Sequence, residues 1–144
     1  MGQNIPSKEE LTEMYVKYQQ LRAQAEALAN ELEILKVSVS ELQNTLDGLD
    51  TLKGKGNAEL LIPVGSGAMM KATLEDEDTV VVGIGAGLSI ERPLDESRTY
   101  LESRKDEIFK SYEMGSKSLA RLTAQIQEIG LVLERYLGER GLSE

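Results

Sequence analysis

The residues best suited to chemistry lie in a glycine-rich stretch near the middle of the chain. Residues 80–87 read Val-Val-Val-Gly-Ile-Gly-Ala-Gly, which looks like a strand entering a dinucleotide-binding turn. That fingerprint requires Gly-x-Gly-x-x-Gly at the opening of a helix within a βαβ unit. Here Leu88 holds the third glycine position, and Pro93 interrupts the continuation. We therefore expect these glycines to form a tight hairpin, and we expect no nucleotide cofactor.

An acidic run, Glu75–Asp78, is the second candidate, in this case for a cation site. A calcium loop needs ligands at fixed alternating offsets, a glycine turn and a distal glutamate, and none of these is arranged here. A solvated turn is the better interpretation, and we expect no metal. The chain also has no histidine and no cysteine, so the commonest catalytic bases and metal ligands are missing. We expect no catalytic residues, and hence no enzyme.

The charge balance limits the classes of partner. The net charge is −9, and basic side chains form no stripe, so a nucleic-acid partner is not expected. The longest apolar run, residues 80–88, is too short to span a bilayer, so we expect no membrane partner. The absence of cysteine fits a cytoplasmic location.

A long heptad pattern in the first third of the chain predicts a helix that pairs with another helix. Ser7 and Glu10 form a capping box before it, and Gly54 and Gly56 end it, which predicts a helix over residues 7–52. Alternating steps of three and four keep one face of such a helix against a partner helix. The positions in the pattern are Leu11, Met14, Tyr18, Leu21, Ala25, Leu28, Leu32, Leu35, Val39, Leu42, Leu46 and Leu49.

A second helix of matching length is predicted over residues 94–138. Its seam is Leu94, Arg98, Leu101, Lys105, Ile108, Tyr112, Gly115, Leu119, Leu122, Ile126, Ile129, Leu133 and Tyr136. Two matched helices joined by a short middle predict an antiparallel coiled-coil hairpin in which residue numbers of facing positions add to about 146. Lys105 then faces Glu41, and Arg98 lies near Asp47 and Asp50, so salt bridges would set the register. In the alternative interpretation both cations extend to solvent.

The middle, residues 58–92, alternates with a period of two, which indicates four short strands in two β-hairpins. We therefore predict an α+β fold, a coiled-coil hairpin with two β-hairpins inserted, as a single domain over residues 1–144. An isolated hairpin is marginal in water, so its apolar face needs a partner, most simply another subunit's sheet. The even-numbered face is Leu60, Ile62, Val64, Met70, Val80, Val82, Ile84, Leu88 and Ile90.

The far end of the helix pair, where both termini meet, is the other candidate binding surface. Residues 1–22 carry three acidic and three basic side chains, and residues 121–144 carry four and three, so this tip contributes −1 to the net charge. Glycines such as Gly130 and Gly138 should loosen its last turns. A near-neutral apolar tip suits partners with irregular apolar surfaces. In the alternative interpretation the helix ends simply fray and the apolar side chains there are scattered surface residues. The tip residues are Ile5, Leu11, Met14, Tyr15, Tyr136, Leu137 and Leu142.

With these three segments in place, the chain resembles an α-class subunit of the prefoldin family, of the archaeal type. The resemblance covers nearly the whole chain, and its specific part is the middle. There the Leu-Ile-Pro-Val-Gly stretch at residues 61–65, the acidic turn and the Val-Gly-Ile-Gly-x-Gly stretch at residues 82–87 look like those of α-class subunits. Two hairpins rather than one also fit the α class.

The resemblance implies an ATP-independent chaperone. Two α-class and four β-class subunits would join through their hairpins into a hexamer, with the even-numbered face of this chain carrying assembly. The coiled-coil tips would hold unfolded client proteins and transfer them to a group II chaperonin. The alternative is a structural coiled-coil protein that oligomerises or tethers without binding clients.

Overall fold

A computed structural model describes residues 5–139, which form two long helices with four short strands between them. The prediction of an α+β fold with two β-hairpins inserted between paired helices is confirmed. The elements in chain order are α1 (Lys8–Leu52), β1 (Glu59–Gly65), β2 (Ala68–Thr73), β3 (Thr79–Gly85), β4 (Leu88–Pro93) and α2 (Leu94–Glu139).

The chain divides into two compact units. One unit consists of the described residues before Val37 and after Ile108, and thus of the N-terminal part of α1 with the C-terminal part of α2. The other, Val37–Ile108, holds the remaining parts of both helices and all four strands. We call them the terminal unit and the hairpin unit.

Helix α1 begins as the capping box predicts. The Ser7 hydroxyl oxygen accepts the backbone N–H of Glu10 at 3.1 Å, and the Glu10 carboxylate accepts the N–H of Ser7 at 3.2 Å. Two backbone donors that have no partner within the helix are thereby satisfied.

The heptad seams are the core of the helix pair. All twelve predicted positions of α1 and all thirteen of α2 are buried or half-buried, while most positions between them are exposed. The deepest side chains are leucines, among them Leu11 and Leu46 in α1 and Leu133 in α2. The periodicity therefore identifies correctly which face of each helix meets the other.

In the hairpin unit the helices pair two residues away from the predicted register. Arg98 Nε donates to Asp50 Oδ1 at 2.7 Å and Nη2 donates to Oδ2 at 2.9 Å, as the predicted proximity to Asp50 requires. The predicted pair of Lys105 with Glu41 is wrong, because Lys105 Nζ donates to Gln43 Oε1 at 2.7 Å. The residue numbers of both facing pairs add to 148.

Arg98 also explains the ionisation of Asp50. The two hydrogen bonds from its guanidinium hold the pKa of Asp50 below its usual range. A carboxylate with a lowered pKa in the folded state stabilises the fold above its ordinary pKa, and this contribution is lost as the pH falls through the folded-state pKa. The link between the helices at this end is therefore weakened by acid.

In the terminal unit two glycines permit close approach of the helices. A Cβ on Gly115 would lie 2.6 Å from Leu32 Cδ2, and one on Gly130 would lie 3.3 Å from the Tyr18 ring. The expectation that the last turns loosen at Gly130 stays a prediction. Helix α2 continues through it, and the Tyr18 ring lies against the space that a larger residue would fill.

We expect Gly115→Ala to destabilise the chain and Gly48→Ala to stabilise it. Alanine favours a helix over glycine by about 1 kcal/mol. At Gly48 nothing lies within 4 Å of the added Cβ, so that gain should appear in full. At Gly115 the clash with buried Leu32 should cost about 1–3 kcal/mol and outweigh it. Urea unfolding followed by circular dichroism measures both. The clash would be excluded as the cause if Gly115→Ala raised the free energy of unfolding. It would also be excluded if Gly115→Ala still lowered the free energy of unfolding when added to a Leu32→Ala chain.

The two β-hairpins are equivalent repeats, 20 residues apart. β1 and β2 pair antiparallel with Glu59 opposite Thr73, and β3 and β4 pair with Thr79 opposite Pro93. Each ladder has its irregularity at the same place, just before a two-residue turn. Ser66 and Ala86 occupy the first turn position with φ of 49° and 53°, and a glycine with positive φ follows each. Positive φ at both turn residues is the geometry of a type I′ hairpin.

The acidic run joins the hairpins to each other and to the end of α1. The Asp76 carboxylate accepts the backbone N–H of Asp78 and the hydroxyl of Thr79, both at 2.8 Å, and these bonds lower its pKa. The Glu77 carboxylate accepts the backbone N–H of Gly56. Two of the four carboxylates of this run, those of Asp76 and Glu77, therefore bond to groups of the chain itself.

Candidate functional site

The first candidate surface is the pair of β-hairpins, whose apolar side chains are largely uncovered. Five residues of the predicted even-numbered face are exposed, and four are half-buried. The exposed ones are Ile62, Val64, Met70, Ile84 and Leu88, and the half-buried ones are Leu60, Val80, Val82 and Ile90. The structure thus leaves much of this face available to another molecule. Its role in subunit assembly stays a prediction.

Part of the even-numbered face lies across a groove from the chain's own helices. An open, mainly apolar groove of about 610 Å³ separates the second hairpin from the helix ends, and Val80 and Val82 line it opposite Leu49 and Leu101. The buried Ser97, whose hydroxyl has no hydrogen-bond partner, also lines this groove. Val80 and Val82 are half-buried at this groove and are less available to a partner than Ile62 or Leu88.

The alternation pattern missed the opposite face of the hairpins. Leu61, Met69 and Val81 are exposed there, so both faces present apolar side chains. The sequence does contain a signal for this second apolar face, because residues 60–64 and 80–82 are continuous apolar runs rather than alternating ones. Continuous runs are typical of strands that are covered on both faces.

The hairpins also have open edges. Each sheet contains two strands, so within the described residues the outer edges of all four strands are without a sheet partner. Unpaired N–H and C=O groups at such an edge are a template for another strand. Apolar faces and open edges are both properties that suit β-sheet pairing with another chain.

The second candidate surface is the tip, which belongs to the terminal unit. Ile5 and Tyr15 are exposed, and Met14, Tyr136 and Leu137 are half-buried. Leu11 is only 2% exposed, so its side chain lies in the seam and supports the tip from within. Leu142 falls outside the described residues.

The terminal unit has five further exposed apolar residues that were missed from the sequence, and Val16 and Leu131 are the two nearest the chain termini; the others are Ile34, Phe109 and Met114. Val16 is 49% exposed and Leu131 is 68% exposed. Both lie off the heptad seams, and an apolar residue at an outward helix position is the signal that would have found them. With Tyr15, which is 49% exposed, they form what we call the outer tip set.

Two polar side chains near the tip contact tyrosine rings or hydroxyls. Gln19 Nε2 donates to the Tyr15 hydroxyl at 2.9 Å. The guanidinium of Arg22 lies 5.6 Å from the centroid of the Tyr18 ring, within the range of a cation–π contact. A shallow groove between the helices, lined by Met14, Ile129 and others, adds to the apolar surface. Such a surface favours binding of exposed apolar side chains rather than chemistry on a substrate.

Other kinds of site have little support in residues 5–139. No group of three or more carboxylate side chains there is arranged to hold a metal ion. No helix in this part of the chain is both long enough and apolar enough to cross a bilayer. The surfaces that remain are the hairpins and the tip, and both suit protein partners.

Comparison with known proteins gives a consistent result. Residues 8–138 match the family profile described as "Prefoldin subunit". A prefoldin subunit alpha from Pyrococcus horikoshii is 34% identical over 131 residues, which are 90% of this chain and 86% of that protein. One from Methanosarcina acetivorans is 32% identical over 84% of this chain and 88% of its own length. A cryo-EM structure of filamentous PFD from Methanocaldococcus jannaschii is similar with a TM-score of 0.65 and 29% identity, over 77% of this chain and 93% of that one.

Proposed function

The chain belongs to the prefoldin family, as an α-class subunit, and from this we propose that it captures unfolded proteins and transfers them to a group II chaperonin. Prefoldins are chaperones, and their α subunits assemble with β subunits and are not enzymes. We propose a hexamer of two α-class and four β-class subunits, working in the cytoplasm without ATP.

Assembly through the hairpins is supported by their exposed chemistry. Ile62, Met70 and Leu88 are apolar side chains that the described part of this chain leaves largely uncovered. Burial of a large apolar side chain contributes about 1.5–3 kcal/mol, so pairing with β-class hairpins offers a large gain. The open strand edges would supply backbone hydrogen bonds in the same contact.

Client capture at the tip is carried by one observation, the exposure of Tyr15, Val16 and Leu131 in a region of little net charge. A coiled coil that served only as a spacer would have little reason to keep an apolar tip of low net charge. Unfolded proteins expose apolar segments in no fixed pattern, and scattered apolar contacts suit them. Each contact is weak, but several tips that bind one client act together and raise the overall affinity.

Aggregation of a chemically denatured client, diluted into buffer with and without the α–β complex, tests this function. We expect the complex to suppress light scattering without ATP, and added group II chaperonin with ATP to recover folded client. A complex that assembles but leaves aggregation unchanged would instead support the alternative of a structural tether. Suppression without recovery would retain client capture and overturn the proposed transfer.

A further inference from the structure

The two hairpins are supported differently by the rest of the chain. In the second hairpin Val80 and Val82 are half-buried and lie across the groove from the helix ends. In the first hairpin, residues 59–73, every residue except Leu60 and Ala72 is exposed, and these two face each other at its base. The orientation of the first hairpin therefore depends on its two connections to the chain.

Three hydrogen bonds join the connection before the first hairpin to the connection after it, and we call them the neck. The Asn57 N–H donates to the Leu74 carbonyl at 2.9 Å, and the Leu74 N–H donates to the Ala58 carbonyl at 2.9 Å. The third bond runs from the Gly56 N–H to the Glu77 carboxylate. Two of the bonds are made by backbone alone, so the third is the one that depends on a particular side chain.

Glu77 differs from the other residues of the acidic run. It is half-buried, whereas Glu75, Asp76 and Asp78 are exposed. A Cβ on Gly56 would lie 3.2 Å from Glu77 Oε2, so a larger residue there would crowd the carboxylate. A hydrogen bond to an ionised acceptor is roughly twice as strong as one between neutral groups, which makes this contact the strongest single bond of the neck.

The residues on either side of Glu77 fix the position of its backbone. The Asp76 carboxylate accepts the N–H of Asp78 and the hydroxyl of Thr79, both at 2.8 Å. The Asp78 carbonyl accepts the N–H of Leu94, the first residue of α2, at 2.7 Å. Glu77 thus extends from a loop anchored to the second hairpin and to α2, and its carboxylate reaches the chain between α1 and the first hairpin.

We propose that Glu77 is a positioning residue for assembly, and that its bond to Gly56 holds the first hairpin in the orientation in which it docks. This inference rests on the proposed assembly with β-class subunits and adds how this chain prepares for it. A hairpin that samples many orientations is ready to dock only part of the time, and its apparent affinity falls by that fraction. Loss of one such hydrogen bond should lower the ready fraction about fivefold.

Distances between spin labels, measured by electron paramagnetic resonance, test the orientation in the isolated chain, which has no cysteine of its own. Labels at Asn44→Cys and Ser66→Cys report the first hairpin, and labels at Asn44→Cys and Ser89→Cys report the second. We expect Glu77→Ala to broaden the first distance distribution and to leave the second unchanged. Glu75→Ala removes the same charge from an exposed neighbour and should change neither. An unchanged first distribution with Glu77→Ala, or equal broadening of both, overturns the proposal.

Stopped-flow mixing with a fluorescent β-class subunit tests the consequence for docking. We expect Glu77→Ala to associate about fivefold more slowly and to dissociate at the unchanged rate, because the docked contacts themselves remain. Glu77→Gln keeps an acceptor oxygen and should restore both the narrow distance distribution and the association rate. An unchanged association rate with Glu77→Ala, or a Glu77→Gln chain that behaves like Glu77→Ala, overturns the proposal.

The two measurements separate this inference from the proposed function. The distance measurement needs no partner, so it reports the role of Glu77 in orientation even if the unsubstituted chain failed to assemble. Such a failure would contradict the proposed assembly and with it the docking role. Normal assembly of the unsubstituted chain and of Glu77→Ala at equal rates would leave the proposed function intact and overturn the role of Glu77 alone.

Discussion

Replacing Val64 and Ile84 together by aspartate is expected to abolish assembly with β-class subunits and to leave both helices intact. The two residues occupy equivalent positions of the hairpin repeat and are 60% and 55% exposed, so the isolated chain loses little when they change. In an assembled sheet the same positions would be buried. There the loss of about 1.5–3 kcal/mol for each apolar side chain, with the cost of burying a charge, predicts affinity at least about a hundredfold weaker.

Native mass spectrometry of the chain mixed with a β-class subunit measures this effect, with circular dichroism as the check on helix content. Ile34→Asp with Met114→Asp is the matched control, since these residues are equally apolar and highly exposed but lie on the helices. We expect the control to assemble normally. A complete complex containing the hairpin variant would show that assembly does not depend on these faces. The two single variants would show whether each hairpin contributes.

Replacing the outer tip set by glutamine is expected to weaken client capture strongly without affecting assembly. Tyr15, Val16 and Leu131 present apolar surface outside the seam, whereas the buried Leu11 and Leu133 that join the helices remain unchanged. Glutamine is a good helix former, so the helices should persist. Because several tips hold one client together, a modest loss at each contact is multiplied, and we expect about tenfold more complex to be needed for half-maximal suppression of aggregation.

The β-class tips also contact clients in the proposed complex, so suppression alone is an incomplete measure of this tip. A photo-crosslinking residue at position 16 of the α chain, compared with one at position 34, reports client contact directly. We expect crosslinks to a denatured client from position 16 and few from position 34, although Ile34 is itself exposed. Equal crosslinking at both positions would mean that the exposed apolar side chains of the helices, rather than the tip, bind clients.

The sequence predicted the faces of the elements better than their alignment along one another. Every predicted seam position is buried or half-buried because heptad spacing determines which side of a helix is apolar. The same spacing says little about axial position, since shifting one helix along the other keeps the seams together. The pairing of Lys105 with Gln43 instead of Glu41 shows such a shift. Arg98, which donates two hydrogen bonds to Asp50, is paired in the same register.

The sequence predicted where the two candidate surfaces lie, but it predicted only some of the residues that form them. Alternation correctly identified exposed residues such as Ile62 and Leu88, and it assigned Leu61 and Val81 to a solvent face although they too are apolar. Leu11 is a seam position that also lies near the end of the chain, so the sequence assigned it to both the seam and the tip. In the structure its side chain is buried in the seam. A residue on a seam is therefore a poor candidate for a binding surface even near a helix end.

With each hairpin docking a partner as proposed, the hairpin repeat would give the chain a valency of two. Because the hairpins are 20 residues apart and share one register, removing residues 59–78 would delete one whole hairpin and leave the other in phase with both helices. In the proposed assembly, a subunit with two docking hairpins is a branch point to which a neighbour attaches at each hairpin, and a subunit with one hairpin is an end cap. The number of hairpins, more than the affinity of either, would then determine where a growing assembly stops.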